Sequence, residues 1–522
     1  MKGNIENYAK NLLWIVPALI AFFMALLPTL KYQWPLTADI FYHIHVAHVY
    51  SQYGLTLTDP FIDPGQGHKI AYMPLFALVI AFLGNHLNLN YINVARALQP
   101  VLAFSVVLSV SYVARKFYGD VAGISTGFLV MSSYLFTRII SPLPETMALI
   151  FIPLTIYFYY KSVEGKKHLY AVLSGLLFLI VLATHQGATL ALFLVMTAVA
   201  VVMMVSRRKL RYFTGYILFL GVIACFGLLI VFILNKIMPG LVPAILTWGL
   251  TAVTGLMTSL LSNDPISNLK YIAYIGVSLI FAVIGGVVAL KKRRDQDIII
   301  FTWIITTFLI SKAYWFGFNV LSIRLLVYLL LPFSILGGLG LSYLYSDFKK
   351  KEFPSLEVRS GFLVAISAIL MLFAFTTVED PDLGLIPNYD TAPGQYGIKA
   401  PQIAPPTQSD NELAAWFEKN GNNSSIMVSN NYFTNQFILA VTGQPIGSSP
   451  SFASYNKAFN ESIGYIVFDK RLTFNSETKA KTTSMGSFMF VNKKYGINSL
   501  IPKNTTLVYE NENYEVFKVI KS

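Results

Sequence analysis

Apolar runs of about 18 to 25 residues recur along most of the chain, and each could cross about 30 Å of hydrocarbon. Hydrophobic residues make up 55% of the 522 residues and charged residues only 12%. One or two soluble cores could not bury so much apolar surface. We therefore predict an all-α polytopic membrane domain of about eleven spans, near residues 12–30, 97–114, 119–137, 146–161, 169–184, 187–205, 212–236, 271–290, 298–312, 325–345 and 361–377.

Basic residues predict the orientation of these spans. With the N-terminus inside, the cytoplasmic loops hold nineteen Lys and Arg residues, whereas the outer loops up to residue 377 hold eight. This asymmetry follows the positive-inside rule. The net charge of +13 is thus assigned to cytoplasmic loops rather than to a nucleic-acid partner. We expect a multi-pass protein of the cell membrane with a cytoplasmic N-terminus.

The chain changes character after the last predicted span. Residues 1–377 form the predicted transmembrane domain, and the Pro- and Gly-rich residues 378–407 are predicted to be a linker. Residues 408–522 are expected to form a small extracytoplasmic α/β domain. Two further apolar stretches, 72–83 and 241–261, are predicted to be re-entrant or interfacial helices. The alternative is a further pair of spans.

The first candidate site follows the first span, where residues 37–45 read TADIFYHIH. Partial desolvation of Asp39 among aromatic residues at the membrane surface would raise its basicity. A solvated loop acid is the alternative. His43, His45 and His48 share no single helical face, which argues against a three-histidine metal site.

The other candidates are ionisable residues at the ends of later spans. Residues 138–145 read RIISPLPE, so Pro144 starts a helix and Glu145 lies at its electropositive N-terminus. Arg324 opens a span and offers donors that suit phosphate oxygens. The structural alternatives are a capping role for Glu145 and a snorkelling role for Arg324. His185 is a weaker candidate, for which a structural role is equally plausible.

These residues share one predicted face of the membrane. Asp39, Arg96, Glu145, His185 and Arg324 all fall at the outer ends of spans in a topology drawn from other residues. Ionisable groups at membrane edges are costly and often functional. A polar cluster that opens on a lipid-accessible cavity is what a lipid-linked substrate would require.

The sequence resembles the GT-C class of membrane glycosyltransferases, and within it the catalytic subunit of oligosaccharyltransferase and its archaeal relatives. Residues 39–43 resemble the first-loop acid motif, and residues 71–75 (AYMPL) resemble the segment that closes the first outer loop. Residues 133–151 resemble the second-loop motif. Residues 324–337 resemble the late helix whose arginine contacts the donor phosphate.

The resemblance implies roles for these residues. Asp39 would be the principal catalytic carboxylate, Glu145 the second acid and Arg324 the group that holds the donor phosphate, with His43, Arg138, His185 and Arg96 in support. The sugar would leave a polyprenyl or dolichyl phosphate or pyrophosphate on the outer face, with inversion at the anomeric carbon. Asp39 and Glu145 would bind Mg²⁺ or Mn²⁺ if the reaction uses a metal, and metal-independent transfer is the alternative.

Two departures from the family pattern narrow this expectation. The position two after Glu145 is Met147, where the family has a second acid, so a hard-metal site lacks a ligand. Residues 430–434 read NNYFT where oligosaccharyltransferases carry WWDYG, the reader of the acceptor sequon. We therefore favour transfer of a single sugar to an unknown protein, lipid or glycan acceptor. Transfer of an oligosaccharide to asparagine is one alternative, and a lipid or solute transporter is another.

Overall fold

The structure is a computed structural model, and helices form most of it. It describes residues 12–65, 67–70, 72–165, 167–243, 266–318, 322–350, 365–367, 369–370, 406–449, 462–475, 477, 480–485, 488–497, 500–501 and 503–520. The predicted span 361–377, the apolar segment 241–261 and the linker 378–407 lie largely outside these ranges.

Fourteen labelled helices precede the C-terminal segment in the described part of the chain. They are α1 Val16–Lys31, α2 Asp39–Tyr53, α3 Leu75–Leu87, α4 Tyr91–Tyr118, α5 Asp120–Met131, α6 Phe136–Ile139, α7 Pro144–Glu164, α8 His168–Thr184, α9 Gln186–Arg207, α10 Arg211–Ile237, α11 Asn268–Ile275, α12 Val277–Lys292, α13 Asp295–Ser311 and α14 Ser322–Lys350. Short 3₁₀ turns occupy Leu13–Ile15 and Ala313–Phe316.

Six described helices are long and apolar enough to cross a membrane, and a bent pair would make seven. The six are Leu13–Lys31, Tyr91–Tyr118, Pro144–Glu164, Gln186–Arg207, Arg211–Ile237 and Arg324–Asp347. The chain is therefore a multi-pass membrane protein. The predicted count of about eleven spans is not confirmed among the described residues.

Two predicted spans differ from the helices that form. The predicted span 119–137 ends early, because α5 stops at Met131 and a turn leads to the four-residue α6. The predicted span 271–290 is broken at Gly276, which adopts φ +64°, and its two halves are bent by 96°. Glycine tolerates this backbone conformation at little cost, so the break can form there.

Small residues allow α14 to pack closely against α5 and α12. A Cβ atom added to Gly285 of α12 would lie 1.9 Å from the carbonyl oxygen of Leu336. One added to Gly338 of α14 would lie 2.1 Å from Oγ1 of Thr126 in α5. Membrane helices associate largely through such close backbone approach at small residues. The contact holds the helix that carries Arg324.

The chain forms two compact units. The helical unit comprises Met1–Lys31, Tyr72–Phe76 and Ala97–Gly384. The sheet unit comprises Tyr32–Ala71, Ala77–Arg96 and Leu385–Ser522. The segment after the first span thus belongs to the same unit as the C-terminal segment. The domain boundaries at 377 and 408 rest on sequence character and stay predictions.

The sheet unit contains helices α15 Gln408–Asn420 and α16 Tyr432–Thr442 and three small sheets. The strands are β1 Thr58–Asp59, β2 His68–Lys69, β3 Ile426–Ser429, β4 Ile463–Asp469, β5 Thr473–Phe474, β6 Thr482–Met485, β7 Phe488–Asn492, β8 Thr505–Glu510 and β9 Tyr514–Val519. A four-stranded sheet has the order β3-β4-β9-β8, with β3 parallel to β4 and the other neighbours antiparallel. A three-stranded sheet has the order β5-β7-β6, and β1 pairs with β2.

Aromatic packing joins α2 to α16 within the sheet unit. The ring of Phe437 in α16 lies 5.0 Å from that of Phe41 in α2 and 5.1 Å from that of Trp34, measured between centroids. Edge-to-face contacts of this kind add to the burial of large apolar surfaces. They hold the helix that begins at Asp39 against the C-terminal part of the chain.

Candidate functional site

The loop between α6 and α7 positions Arg138 and Glu145. Pro144 occupies the first turn of α7, where its missing N–H costs no hydrogen bond. The hydroxyl of Thr146 donates to the carbonyl of Ser141 at 2.8 Å, and that of Ser141 donates to the carbonyl of Thr137 at 3.1 Å. These bonds fold the loop back, so that residues seven apart in sequence meet.

Glu145 is buried at this loop with 3% of its surface exposed. Nε of Arg138 donates to Oε2 of Glu145 at 2.6 Å, and a second guanidinium nitrogen also contacts this oxygen. The hydroxyl of Tyr328, from α14, hydrogen-bonds to the same carboxylate. A buried carboxylate needs such partners, because burial of an unpaired charge is costly.

His185 lies between α8 and α9, beside this pair. Its Nδ1 accepts a hydrogen bond from the backbone N–H of Ala188 at 3.0 Å, which caps α9. The hydroxyl of Tyr328 lies 3.4 Å from the same nitrogen, and the ring of Tyr72 lies 5.9 Å away. Burial lowers the pKa of His185, and the nearby Glu145 carboxylate offsets only part of this effect. The ring is therefore neutral at pH 7.

Arg324 completes the cluster of the helical unit. It lies one turn before Tyr328 on α14, so both side chains share a helix face. Arg324 is exposed, and it acts electrostatically on both Glu145 and His185. Two guanidinium groups thus act on one carboxylate and a neutral imidazole. Guanidinium donors in this position suit a phosphate group.

Asp39 belongs to the sheet unit and is the first residue of α2. An acid is electrostatically favoured in the first helical turn. Asp39, Asp59 and Asp63 act electrostatically on Tyr432 at the start of α16. Burial raises the pKa of Tyr432 to about 12, and the three carboxylates act in the same direction. Asp39 therefore influences a residue of the segment 430–434, where the sequence departs from the oligosaccharyltransferase pattern.

The asparagines of that segment face the interior of the sheet unit. Asn430 and Asn431 are both fully buried. Nδ2 of Asn431 donates to the Asp469 carboxylate at 2.8 Å, while Oδ1 accepts from the backbone N–H of Phe433 and caps α16. The amide of Asn430 bonds to the backbone of Asp469 and Met489. Both amide side chains therefore have a structural role within the sheet unit.

His43 and Arg96, the supporting residues of the sheet unit, each contact a neighbour in sequence. His43 is buried with 4% exposure, and its ring packs edge-on against Tyr42 at 5.3 Å. A guanidinium nitrogen of Arg96 donates to Oδ1 of Asn93, one turn earlier on α4, at 3.2 Å.

The helical unit therefore brings together Arg138, Glu145, His185 and Arg324, whereas Asp39, His43 and Arg96 belong to the sheet unit. The roles of all seven residues remain predictions.

Sequence reasoning missed several buried polar residues. Tyr328 belongs to a quoted motif, but its contact with Glu145 spans more than 180 positions and leaves no local signal. Asp59 is 1% exposed, and its carboxylate lies 2.8 Å from Nε2 of His45. Residues 58–60 read TDP, which is typical of a turn. A turn there brings an acid back towards α2, so Asp59 could have been proposed as a partner of His45.

The ligands available for a divalent metal are limited among the described residues. Mg²⁺ and Mn²⁺ require several oxygen ligands, and the Glu145 carboxylate already accepts from Arg138 and Tyr328. No group of three His, Cys, Asp or Glu side chains within the described ranges could hold a metal ion. The described residues thus do not form a divalent-metal site of their own. A joint metal role for Asp39 and Glu145, which belong to different units, remains a prediction.

Neither a protein-family model nor the sequence of a curated protein matches the chain. Solved structures do match. An archaeal oligosaccharyltransferase, AglB from Archaeoglobus fulgidus in complex with an inhibitory peptide and a dolichol-phosphate, matches with a TM-score of 0.63 at 12% identity, over 90% of this chain and 70% of AglB.

Two other transferases match over nearly the whole chain. ArnT from Cupriavidus metallidurans bound to undecaprenyl phosphate has a TM-score of 0.63 at 12% identity and covers 98% of both chains. The arabinofuranosyltransferase AftD from Mycobacteria has a TM-score of 0.53 at 13% identity, over 98% of this chain and 42% of AftD. The chain therefore has the fold of the GT-C membrane glycosyltransferases.

Proposed function

We propose that this protein transfers a single sugar from a polyprenyl-phosphate donor to an acceptor at the outer face of the membrane. The observation that carries the proposal is the cluster of Arg138, Glu145, His185, Arg324 and Tyr328 on a GT-C fold. Arg138 and Arg324 bring two guanidinium groups to the N-terminal end of α14. Guanidinium donors suit the phosphate of a lipid-linked sugar.

In the proposed reaction Asp39 is the general base. The acceptor oxygen attacks the anomeric carbon and loses its proton to the Asp39 carboxylate, while the bond between that carbon and the phosphate oxygen breaks. Arg324 stabilises the charge that develops on the departing polyprenyl phosphate. Attack from the side opposite the phosphate inverts the anomeric carbon.

Glu145 has a positioning role in this scheme. Its carboxylate is held by Arg138 and Tyr328, and it in turn orients both groups at the cluster. Such a held side chain keeps its neighbours in a productive geometry. The proposed transfer includes no metal step, and its dependence on Mg²⁺ or Mn²⁺ is tested by comparing turnover in EDTA and in added metal.

Single-sugar transfer is favoured over oligosaccharide transfer to asparagine by the residues at 430 and 431. Asn430 and Asn431, at the position of the family's sequon reader, are buried and hydrogen-bonded internally. Oligosaccharide transfer remains the second candidate because AglB matches equally well by TM-score.

The test is sugar transfer in proteoliposomes that contain the purified full chain and labelled hexoses linked to undecaprenyl phosphate or dolichyl phosphate. Detergent-extracted membranes of the expression host supply acceptors, and an asparagine-sequon peptide serves as the alternative acceptor. We expect label to leave the lipid, and we expect Asp39→Asn to reduce turnover by roughly 100-fold or more, as for loss of a general base.

Glu477→Gln is the matched control, because this exposed acid of the sheet unit is remote from any proposed role. Both variants must elute as the wild-type protein does on size exclusion. Wild-type turnover in Asp39→Asn would remove Asp39 from its role. Donor that crosses the bilayer with its sugar intact would instead indicate a transporter.

A further inference from the structure

A cavity of about 550 Å³ lies at the opposite end of α7 from Glu145. It is bounded by the last turn of α7, the first turn of α8 and the first two turns of α10. Its lining residues are Ser162, Val163, His168, Ala171, Arg211, Thr214, Gly215 and Leu218. All of them belong to the helical unit, and none has a part in the proposed transfer.

Arg211 supplies the guanidinium that lines the cavity. Four other basic residues near this end of the bundle are ion-paired: Arg207 with Asp295, Arg294 with Asp297, Arg115 with Asp120, and Lys161 with Glu164. Within the described ranges no carboxylate forms an ion pair with Arg211. Its guanidinium lies 5.6 Å from the ring centroid of Tyr212 and hydrogen-bonds to the side chain of that residue.

Two helix N-termini add positive potential at the cavity. α8 begins at His168 and α10 begins at Arg211, and both residues line the cavity. Neither N-terminus is capped by a side chain. Unpaired N–H groups and the helix dipole make such ends favourable for anions. The C-terminal end of α7 opposes this effect, and the charge of Lys161 in its last turn is balanced by Glu164 of the same turn.

The remaining wall of the cavity is apolar. Val163, Ala171 and Leu218 line it alongside the polar groups. α10 continues from the cavity as an apolar span of which only 11% is buried inside the protein. Its exposed surface includes Ile217, Phe213 and Leu228, so it offers a lipid-facing path for an acyl chain. A cationic pocket that opens onto an apolar helix face matches an amphiphile with an anionic headgroup.

We propose that this cavity binds an anionic phospholipid of the bilayer, with its phosphate at Arg211 and at the N-termini of α8 and α10. Arginine at a membrane interface attracts anionic lipids, and basic pockets between spans bind their headgroups. The loops on this side are those predicted to be cytoplasmic. The lipid would hold α7, whose other end carries Glu145, against α10.

The test is native mass spectrometry of the detergent-purified full chain, titrated separately with phosphatidylglycerol, phosphatidylcholine and inorganic phosphate. We expect phosphatidylglycerol to bind more tightly than phosphatidylcholine. Arg211→Gln should weaken phosphatidylglycerol binding roughly tenfold, as expected for loss of a charge-assisted phosphate contact. Arg208→Gln is the matched control, because Arg208 is an exposed arginine of the same loop that does not line the cavity.

A second variant, Thr214→Trp, places a large side chain at an exposed position that lines the cavity. It tests the cavity independently if Arg211→Gln does not fold. It should also reduce phosphatidylglycerol binding. Equal affinity for both phospholipids would overturn the proposal, as would undiminished binding in both cavity variants. Saturation of the site by inorganic phosphate, with no preference for the lipid, would overturn the assignment to a phospholipid.

Discussion

Two arginine–carboxylate clusters in this protein differ in how their charges are arranged. In the helical unit Arg138 and Arg324 both act on the carboxylate of Glu145. In the sheet unit Arg471 is shared by two carboxylates and donates to Asp469, at 2.8 Å, and to Asp410, at 3.2 Å. The hydroxyl of Tyr514 contacts both Arg471 and Asp410.

The two clusters also differ in how far their side chains are exposed to solvent. Asp410, Asp469 and Tyr514 are each 2% exposed or less, and their partners lie within the same unit. The neighbouring carboxylates raise the pKa of Arg471, although burial acts against this. Arg324, by contrast, is exposed at the start of its helix. Both clusters therefore contain buried charge, and an exposed arginine distinguishes the candidate phosphate site from the structural network.

The largest expected effect tests the structural cluster. Arg471→Gln leaves two buried carboxylates without their cation, so it should destabilise the sheet unit by about 3–5 kcal/mol. Hydrogen exchange of the β4 and β9 amides in the full chain measures this loss. Lys470→Gln removes a surface pair with Glu510 and a hydrogen bond to the Asn511 carbonyl, and it should cost about 1 kcal/mol. Equal amide exchange rates in the two variants would show that Arg471 contributes no more to the stability of the sheet unit than Lys470 does.

Arg324→Gln tests the accessible cluster. We expect a fall in kcat of roughly 100-fold, because a stabilising contact to the departing phosphate is lost. Stability should change little, since Arg324 is exposed. Transfer of labelled sugar in proteoliposomes gives the rate, with Lys270→Gln as an exposed basic control. Normal turnover in Arg324→Gln would show that this arginine does not stabilise the departing phosphate.

The smallest effect concerns His48, a partly buried histidine of α2. Burial, and then the neighbouring His45, lower the pKa of His48 from 6.5 to about 4. The unfolded chain therefore binds the proton more readily, and stability is complete above about pH 6.5 and falls towards pH 4. After allowance for partial exposure of the ring, the loss is about 2 kcal/mol.

Hydrogen exchange of the α2 amides at about pH 7 and about pH 4.5 measures this loss, after correction for intrinsic rates. His48→Asn should flatten the pH dependence. The exposed His86 of α3 provides the control His86→Asn, which should leave that dependence unchanged. If the corrected exchange of the α2 amides in the wild-type protein is the same at both pH values, protonation of His48 does not reduce stability.

Local patterns predicted much of the fold. The apolar runs predicted helices at the positions of α4, α7, α9, α10 and α14, because the requirement to satisfy backbone groups in lipid leaves few other structures. Strands form within the predicted α/β region 408–522, among them β8 and β9, since alternation along strands is also a local signal. The bend at Gly276 was not predicted, because a glycine within an apolar run is compatible with a straight helix as well.

By itself, the sequence determined that the chain spans a membrane repeatedly and that its ionisable residues lie at the ends of helices. Apolarity and helix termini are properties of neighbouring residues, so they are visible in one dimension. Only the tertiary structure decided which charges pair. Tyr328 reaches Glu145, and Arg471 rather than Lys470 lies between two buried aspartates. These pairings depend on helix crossings and strand order, which bring together residues that no local pattern connects.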